Sequence, residues 1–333
     1  MKTHRNIPFF VPHAGCPNCC VFCSQVKITG VQAEKDLQTE LAELNSLLQS
    51  QGVGTGESQI GFFGGSFTAI ERHRMESLLQ TANGYIKKGV AESIRISTRP
   101  DKIDEDVLDL LAKYGVTHIE LGVQSTDESV LNACLRGHTA KDSFNAASLI
   151  TQKGFTFGGQ MMIGLPNATP ESEFKTAKDI IKMGAKEARI YPTVVFENTK
   201  LYHMAKNGEY TPLSLESAVV RTASCYRLFL EAGVKVLRIG LHASENLANA
   251  PMGANHQALG ELVKGRVYAD IIAEQAGDCT GKILEAEIKK EDISMLRGHG
   301  SAATEYIKTK TNAKEVRLIP APAERFKVKT RSV

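Results

Sequence analysis

The sequence lacks tryptophan, and aromatic residues make up 6% of its 333 residues. Proteins that stack many successive bases need several exposed aromatic rings, so a broad base-stacking platform is not expected. The sequence also lacks an apolar run of about 18 residues, the length that a membrane-spanning helix needs. Its first residues show no charged-then-apolar leader with a cleavage site. We therefore expect a cytoplasmic protein.

A strong charge of either sign is also missing. The 40 Lys and Arg residues nearly balance the 37 Asp and Glu residues, which gives a net charge of +3. That balance does not by itself indicate binding to nucleic acid. Hydrophobic residues make up 42% of the chain, enough for one large domain and a small appendage.

Four of the seven cysteines lie together near the N-terminus, at positions 16, 19, 20 and 23. The other three are scattered singly. A zinc site usually has paired Cys-x-x-Cys arms with a second pair elsewhere, which this chain lacks. A disulfide framework is typical of short secreted chains. Thiolates are the usual ligands of 4Fe–4S clusters, so we favour an iron–sulfur cluster over zinc.

Three of these thiols, Cys16, Cys20 and Cys23, have the spacing Cys-x-x-x-Cys-x-aromatic-Cys. A complete protein cage needs four thiolates, so three leave one iron of the cluster open to chemistry. A ligand set with Cys19 in place of Cys20 can also be written. Phe22 next to Cys23 favours Cys20. For His13, just before the loop, we favour a structural role over a contact with the cluster.

Strand patterns alternate with helix patterns along most of the chain, which predicts a parallel α/β sheet. Six β-then-α units precede residue 232, too few for a closed barrel of about 250 residues, so a partial barrel is expected. The predicted strands are residues 8–11, 59–63, 93–97, 117–123, 155–163, 187–195 and 235–240. The predicted helices are residues 32–49, 72–87, 104–113, 127–134, 142–153, 171–183, 200–206 and 214–232.

The last part of the chain has a different pattern, and we divide the chain into a barrel domain, residues 1–275, and an α+β appendage, residues 276–333. The appendage is predicted to contain strands at 282–288, 315–319 and 325–329 and a helix at 301–311. From residue 280 onward, 12 Lys and Arg outnumber 7 Asp and Glu. This excess could bind phosphate or nucleic acid, but we favour a solvated basic face.

Polar and glycine-rich motifs follow five of the predicted strands. In parallel barrels, ligands bind at the carboxyl ends of the strands, so these motifs indicate one site on one rim. They are the cysteine loop and residues 64–65, 98–99, 124–125 and 164–166.

The cysteine spacing after a first strand resembles the signature of the radical S-adenosylmethionine (SAM) enzymes. Several other motifs resemble the radical SAM domain of the Elongator catalytic subunit, and Gly-Val-Gln-Ser and Gly-Leu-Pro also resemble oxygen-independent coproporphyrinogen III oxidase. The Elongator-like motifs are residues 97–101 (STRPD), 120–125 (ELGVQS), 136–139 (RGHT), 190–193 (IYPT), 208–214 (GEYTPLS) and 238–240 (RIG). The resemblance covers most of the predicted barrel.

The resemblance implies a fold, two cofactors and a reaction. The fold is the partial (β/α)6 TIM-like barrel of the radical SAM core. The cofactors are a 4Fe–4S cluster on Cys16, Cys20 and Cys23, and SAM bound at the open iron. A one-electron reductant such as flavodoxin or ferredoxin supplies the electron that splits SAM, and the resulting 5′-deoxyadenosyl radical takes a hydrogen atom from a substrate.

The resemblance also implies roles for eight residues around SAM. Backbone groups of Gly64, Gly65 and Ser66 would hold the amino group, although Glu is common at the third position. Gln124 would hydrogen-bond the ribose, and Arg136 would pair with the carboxylate, a task that suits a planar guanidinium. The remaining three residues would lie near the adenine; they are Phe22, Met162 and Tyr191.

The substrate does not follow from the resemblance. The Elongator subunit carries an acetyltransferase domain with an acetyl-CoA loop after its radical domain, and no such glycine loop is present here, so carboxymethylation with acetyl-CoA is not expected. Kinship favours an RNA nucleoside, with tRNA first, over a small metabolite, a peptide or a porphyrin. The alternative from another class is a non-catalytic iron–sulfur protein that binds RNA.

Overall fold

A computed structural model describes residues 5–11, 20–24, 35–52, 58–242, 244–298 and 302–333. Cys20 and Cys23 are therefore described. Cys16, Cys19 and His13 lie outside the described residues, so their predicted roles are not addressed by the structure.

One parallel sheet of seven strands forms the centre of the fold, and its strands follow the order of the chain. The first and last of these strands are not paired with each other among the described residues, so the sheet is an open partial barrel. This confirms the predicted fold class. The strands are β1 Arg5–Val11, β2 Ser58–Gly64, β3 Ser93–Thr98, β4 Val116–Gln124, β5 Thr156–Ile163, β6 Glu187–Pro192 and β8 Lys235–Ile239.

Successive side chains of each strand point to opposite faces of the sheet. One face is apolar and packs against the helices, for example through Ile60, Ile94 and Ile119, none of which is exposed to solvent. The other face is concave and carries charged and amide side chains, such as Arg95 and Glu120. The hydrophobic core therefore lies between sheet and helices, and the concave face is polar.

Eight helices flank the seven strands in the described parts of the barrel. Two of them begin with a capping box, in which a side chain bonds the orphan backbone N–H groups of the first turn: Thr139 with Asp142, and Thr169 with Ser172. These helices are α1 Leu37–Gln49, α2 Arg72–Lys87, α3 Glu105–Lys113, α4 Glu128–Ala133, α5 Ala140–Gln152, α6 Pro170–Lys182, α7 Lys200–Lys206 and α8 Leu215–Glu231.

A second sheet of three strands forms the predicted appendage. Strand β10 (Ile283–Lys289) lies between parallel β11 (Glu315–Ala321) and antiparallel β12 (Lys329–Ser332). The helices that precede or cover it are α9 Glu245–Ala248, α10 Leu259–Ala276, α11 Ile293–Arg297 and α12 Ala302–Thr311. A two-stranded ribbon joins β7 (Val194–Val195) to β9 (Met252–Gly253) near the rim.

Three sequence predictions differ from the structure. The strand predicted at 187–195 is interrupted, because Thr193 donates its N–H and hydroxyl hydrogens to the Ile163 carbonyl at 2.8 and 2.7 Å. The strand predicted at 325–329 is wrong; β12 begins at Lys329, after a turn in which Phe326 has a φ of 62°. The long helix α10 was not predicted. It buries residues on several sides, so it has no simple amphipathic pattern.

No helix in the described parts of the chain is long and apolar enough to cross a membrane.

Candidate active site

The described part of the cysteine loop, residues 20–24, is tied to the barrel by backbone hydrogen bonds. The Val21 N–H donates to the carbonyl of Cys134 at the end of α4, at 3.2 Å. The Val21 carbonyl accepts from the Leu201 N–H in α7 at 2.8 Å. These bonds hold the buried thiol of Cys20 and the more exposed Cys23 at the rim of the sheet.

Arg136 connects this loop to the end of β4. Its side chain is buried; Nη1 donates to the Cys20 Sγ at 3.2 Å, and Nη2 donates to the Gly122 carbonyl at 2.7 Å. The Arg136 carbonyl accepts from Arg99 Nη2 at 2.7 Å. Arg99, the Gly122 carbonyl and Arg136 therefore meet beside Cys20.

Three buried polar atoms around this place have no hydrogen-bond partner within the described parts of the chain: Gln124 Oε1, Arg136 Nε and His138 Nδ1. Such atoms are costly unless a ligand or water satisfies them. Gly122 lies between the first two of these side chains, and a Cβ there would be 3.0 Å from Gln124 Nε2 and 3.4 Å from Arg136 Nη2. An acceptor and a donor thus remain available for a ligand with hydroxyl and carboxylate groups.

Gln124 reaches this position through an unusual backbone conformation. Its φ is 64°, and the register of β4 against β5 shifts between Leu121 and Gln124. Left-handed residues and bulges end regular pairing and redirect a side chain, and they are common next to functional sites. The end of β4 is therefore shaped to present Gln124 at the rim.

The turn after β2 is held closely against β1. Gly64 has a φ of 109°, and the Gly65 N–H donates to the Val11 carbonyl at 3.1 Å. The Ser66 hydroxyl is buried and bonds the Thr98 hydroxyl at 2.8 Å and the Arg99 N–H at 3.1 Å. The Ser66 side chain therefore stabilises the turn, so any ligand contact there falls to the backbone.

Phe22 and Met162, both predicted to lie near the adenine of SAM, lie in one apolar cluster. Both are half-buried and pack on buried Val21 and Leu165. The hydroxyl of Tyr210 donates to the Gly164 carbonyl at 2.6 Å and fixes the turn after β5. The cluster forms an apolar wall beside the cysteine loop.

A charged network, not predicted from the sequence, forms the floor of the concave face. Glu120 accepts from Arg189 at 2.6 and 3.0 Å, from Arg95 at 3.0 Å and from Gln160 at 2.8 Å. Arg95 also pairs with Glu187 at 2.6 Å. Two arginines and two glutamates balance one another. The signal in the sequence was alternation: charged residues at every second position of strands that were otherwise apolar.

Electrostatics and burial keep Glu120 ionised and keep His138 and Cys134 neutral. Burial raises the pKa of Glu120, but Arg189 and Arg95 lower it more, so its pKa lies below the usual value. Burial, with Arg136 and Arg99 next, lowers the pKa of His138 to about 4. Burial raises the pKa of the Cys134 thiol to about 12, so this cysteine stays protonated beside Cys20.

Tyr191 lies on the concave face above the floor, two residues after Arg189 in β6. Burial raises the pKa of its hydroxyl, so the group is neutral and can donate a hydrogen bond. Arg238 lies opposite Arg189 in the register between β6 and β8. The structure thus brings Cys20, Gln124 and Arg136 into one group and Phe22 and Met162 into a second, and Tyr191 lies opposite Met162 in the register between β5 and β6.

The radical SAM superfamily model matches residues 10–180, and the radical SAM C-terminal domain model matches residues 185–269. The chain belongs to the radical SAM superfamily. The first model covers the cysteine loop and strands β2 to β5 with the turns that follow them, and the second covers β6 and β8. The family implies a 4Fe–4S cluster and SAM. Gln124 Oε1 and Arg136 Nε, which have no partner among the residues that the structure describes, fit the hydroxyl and carboxylate groups of SAM.

The predicted resemblance to the Elongator catalytic subunit is confirmed. The chain is 34% identical to Elongator complex protein 3 of Saccharomyces cerevisiae over 129 residues, which are 38% of this chain and 23% of that protein. It is 30% identical to a tRNA uridine(34) acetyltransferase of Methanocaldococcus jannaschii over 192 residues, 52% of this chain and 36% of that protein. The chain therefore spans well under half the length of these relatives.

Solved structures agree on the fold. The Elp3 structure of the archaeon Methanocaldococcus infernus matches with a TM-score of 0.61 at 23% identity, covering 79% of this chain and 62% of that one. Coproporphyrinogen III oxidase (HemN) of Escherichia coli matches with a TM-score of 0.50 at 19% identity, covering 70% and 53%. At these identities the likeness concerns the fold alone.

Proposed function

We propose that this radical SAM enzyme binds its cluster through Cys16, Cys20 and Cys23 and modifies a nucleoside of tRNA. The observation that carries the proposal is the meeting of Cys20, Arg136 and Gln124 at the rim, with an acceptor and a donor that have no partner in the described part of the chain. When bound, the cluster and SAM supply a 5′-deoxyadenosyl radical that abstracts a hydrogen atom from the substrate.

The chain's own residues would bind SAM and orient it. Arg136 would hold the SAM carboxylate beside the cluster, and Gln124 would accept a hydrogen bond from the ribose. The backbone of Gly64, Gly65 and Ser66 would hold the amino group. The half-buried rings and thioether of Phe22, Tyr191 and Met162 would exclude water from the adenine.

The substrate class is supported by kinship. One relative is named a tRNA uridine(34) acetyltransferase, which makes a tRNA uridine the first candidate. A flavodoxin or ferredoxin would supply the electron, and an oxygen-sensitive cluster fits a cytoplasmic location. These partners and this location are proposals.

The cluster assignment is tested by iron content and product formation together. Anaerobically reconstituted protein with dithionite should release 5′-deoxyadenosine from SAM. Cys16→Ala, Cys20→Ala and Cys23→Ala should each lose cluster iron and this activity, because two thiolates cannot hold the cluster. Cys134→Ala is the matched control, since its buried, protonated thiol should not bind iron.

The ligand register is tested in the same assay by Cys19→Ala, which should keep the cluster. If Cys19→Ala loses iron while Cys20→Ala retains it, the second cluster ligand is Cys19 and not Cys20. If all the variants keep full iron, or a fully loaded protein releases no 5′-deoxyadenosine with candidate substrates present, the proposed chemistry is wrong.

The substrate class is tested by comparing the modified nucleosides of tRNA from cells with and without the gene. A nucleoside that disappears on deletion and returns with the intact gene, but not with Cys20→Ala, supports the proposal. Identical nucleoside profiles, with a change among small metabolites instead, would contradict it.

A further inference from the structure

The concave face opens to one side, between strands β1 and β8, which are not paired among the described strands. A side chain from each edge strand stands at this opening: Phe10 on β1 and Arg238 on β8. Neither has been assigned to the cluster or to SAM. Phe10 is exposed although its neighbours are buried, and Arg238 has no carboxylate partner among the described residues. Both properties indicate a bound ligand.

Phe10 is an exposed aromatic ring in a chain with few of them. It is 38% exposed, whereas its neighbours Phe9 and Val11 are buried on the helix side of the sheet. Phe10 therefore faces the concave side, where its ring lies 6.4 Å from that of Phe63. The Arg189 guanidinium covers Phe63 at 5.4 Å, so Phe10 is continuous with the charged floor.

Arg238 is a surplus cation beside that floor. Arg95 and Arg189 are neutralised by Glu120 and Glu187, but Arg238 has no carboxylate partner among the described residues. Its hydrogen bond there is a long one, from Nη1 to the Leu241 carbonyl at 3.5 Å. A guanidinium has five N–H donors, so most of its capacity is free for a ligand.

The groups around Arg238 also indicate that an anion binds there. Arg189 lies opposite in the strand register, and His242 follows on the same chain segment. Burial, and to a smaller extent the nearby Arg189, lower the pKa of Arg238, so both disfavour its charged form. A half-buried cation next to another cation is unfavourable unless an anion binds there.

We propose that Arg238 and Phe10 form a nucleotide subsite at the lateral opening, in which Arg238 binds a backbone phosphate of the RNA and Phe10 stacks on a base. A guanidinium binds phosphate or carboxylate equally well by geometry. The exposed ring at the opposite edge favours a nucleotide, because every base offers a flat face for stacking. This subsite rests on the proposed function, since it assumes an RNA substrate.

The test is filter binding of a ten-nucleotide oligouridylate to the anaerobic, cluster-loaded protein with SAM, at a series of salt concentrations. Arg238→Met should weaken binding about ten- to a hundred-fold at low salt and should reduce the salt slope by about 0.7, the share of one phosphate. Phe10→Ala should weaken binding about five-fold or more with the salt slope unchanged.

Arg227→Met is the matched control, because Arg227 is an ion-paired arginine on the outer helix α8. It should bind like the unchanged protein, and all three variants should keep their iron and their SAM affinity. If the unchanged protein binds the oligonucleotide but Arg238→Met binds it equally with the same salt slope, the subsite is wrong and the function stands. If the unchanged protein binds no RNA and instead binds a small carboxylate through Arg238, the RNA function and the nucleotide subsite both fail.

Discussion

Arg136 holds the cysteine loop against the end of β4, and we propose that it also binds SAM. One side chain can do both, because its guanidinium is a planar fork with several N–H donors. The structure places one arm on the Cys20 sulfur and the other on the Gly122 carbonyl. The sequence indicated a carboxylate partner through resemblance, but it could not show the contact with Cys20, which joins residues 116 positions apart. The remaining Nε atom is the part of the fork still available to SAM.

Arg136→Lys should therefore separate charge from geometry. The lysine keeps a positive charge near Cys20 but loses the fork, so we expect full cluster iron with SAM affinity reduced about ten-fold or more. Equilibrium dialysis with SAM and iron analysis measure the two effects. Arg72→Lys, on the exposed face of α2, should change neither. Equal SAM affinity in Arg136→Lys would show that the fork is not needed.

His138, in the same motif, makes stability depend on pH. Its pKa is lowered from 6.5 to about 4, so the folded protein excludes a proton that the unfolded chain binds. Stability should therefore be full above pH 6.5 and fall as the pH drops from 6.5 towards 4, by about 2 kcal/mol at pH 5.

His138→Gln should lose this part of the pH dependence. Urea unfolding of the reduced, cluster-free chain at pH 7 and pH 5 measures it, and His203→Gln, an exposed histidine on α7, is the control. An equal loss of stability at pH 5 in His138→Gln and the unchanged protein would show that another group is responsible.

At the scale of elements, alternation was the most informative signal. Apolar residues such as Ile94 and Ile96 predicted strand β3, and the structure buries them against the helices. The sequence predicts that Arg95, between them, belongs to this strand, but it does not indicate which side chains Arg95 would contact. Its contacts with Glu120 and Glu187 come from strands 25 and 92 residues away, and such pairings depend on the register of a sheet.

Glu120→Gln tests the charged floor. The change would leave Arg95 and Arg189 with one carboxylate fewer in a buried network, and breaking a buried pair in this way costs about 3–5 kcal/mol. Urea unfolding at pH 7 should show that loss, while Asp109→Asn, in an exposed pair with Lys153, should change stability little.

Glu120→Gln should also change how the stability of the protein depends on pH in the acid range. The pKa of Glu120 is lowered, so its contribution is present above the ordinary value of 4.5 and disappears as the pH falls through the lower folded value. The difference in stability between the unchanged protein and Glu120→Gln should therefore shrink as the pH falls below 4.5. A constant difference across the range would contradict an ionised Glu120.

On the scale of the whole molecule, helix α10 joins the barrel to the appendage. It packs against α8 of the barrel on one side and against α11, α12 and β12 on the other. A helix that is buried on several sides gives no one-sided pattern in the sequence, which is why it escaped prediction. The division of the chain at residue 275 therefore stays a prediction. It predicts that the barrel and the appendage unfold as separate units.

Asp292 is the residue through which this prediction can be tested. Its carboxylate is fully buried; it accepts from the Tyr268 hydroxyl of α10 at 2.6 Å and from Arg325 at 2.6 to 3.1 Å. The Tyr268 oxygen in turn accepts from the Phe326 N–H at 2.8 Å. This network fixes the turn before β12 on α10.

Asp292→Ala should loosen the appendage and leave the barrel intact. Removing the carboxylate costs about 1–3 kcal/mol, towards the lower end because Arg325 is 45% exposed and can be solvated. Hydrogen exchange should then show faster exchange in β10, β11 and β12 with unchanged protection in β3 to β5. Glu315→Gln, in an exposed pair with Arg317, is the control. If β3 to β5 lose protection together with β10 to β12, the two parts unfold as one unit, because α10 then couples them more strongly than a boundary at residue 275 allows.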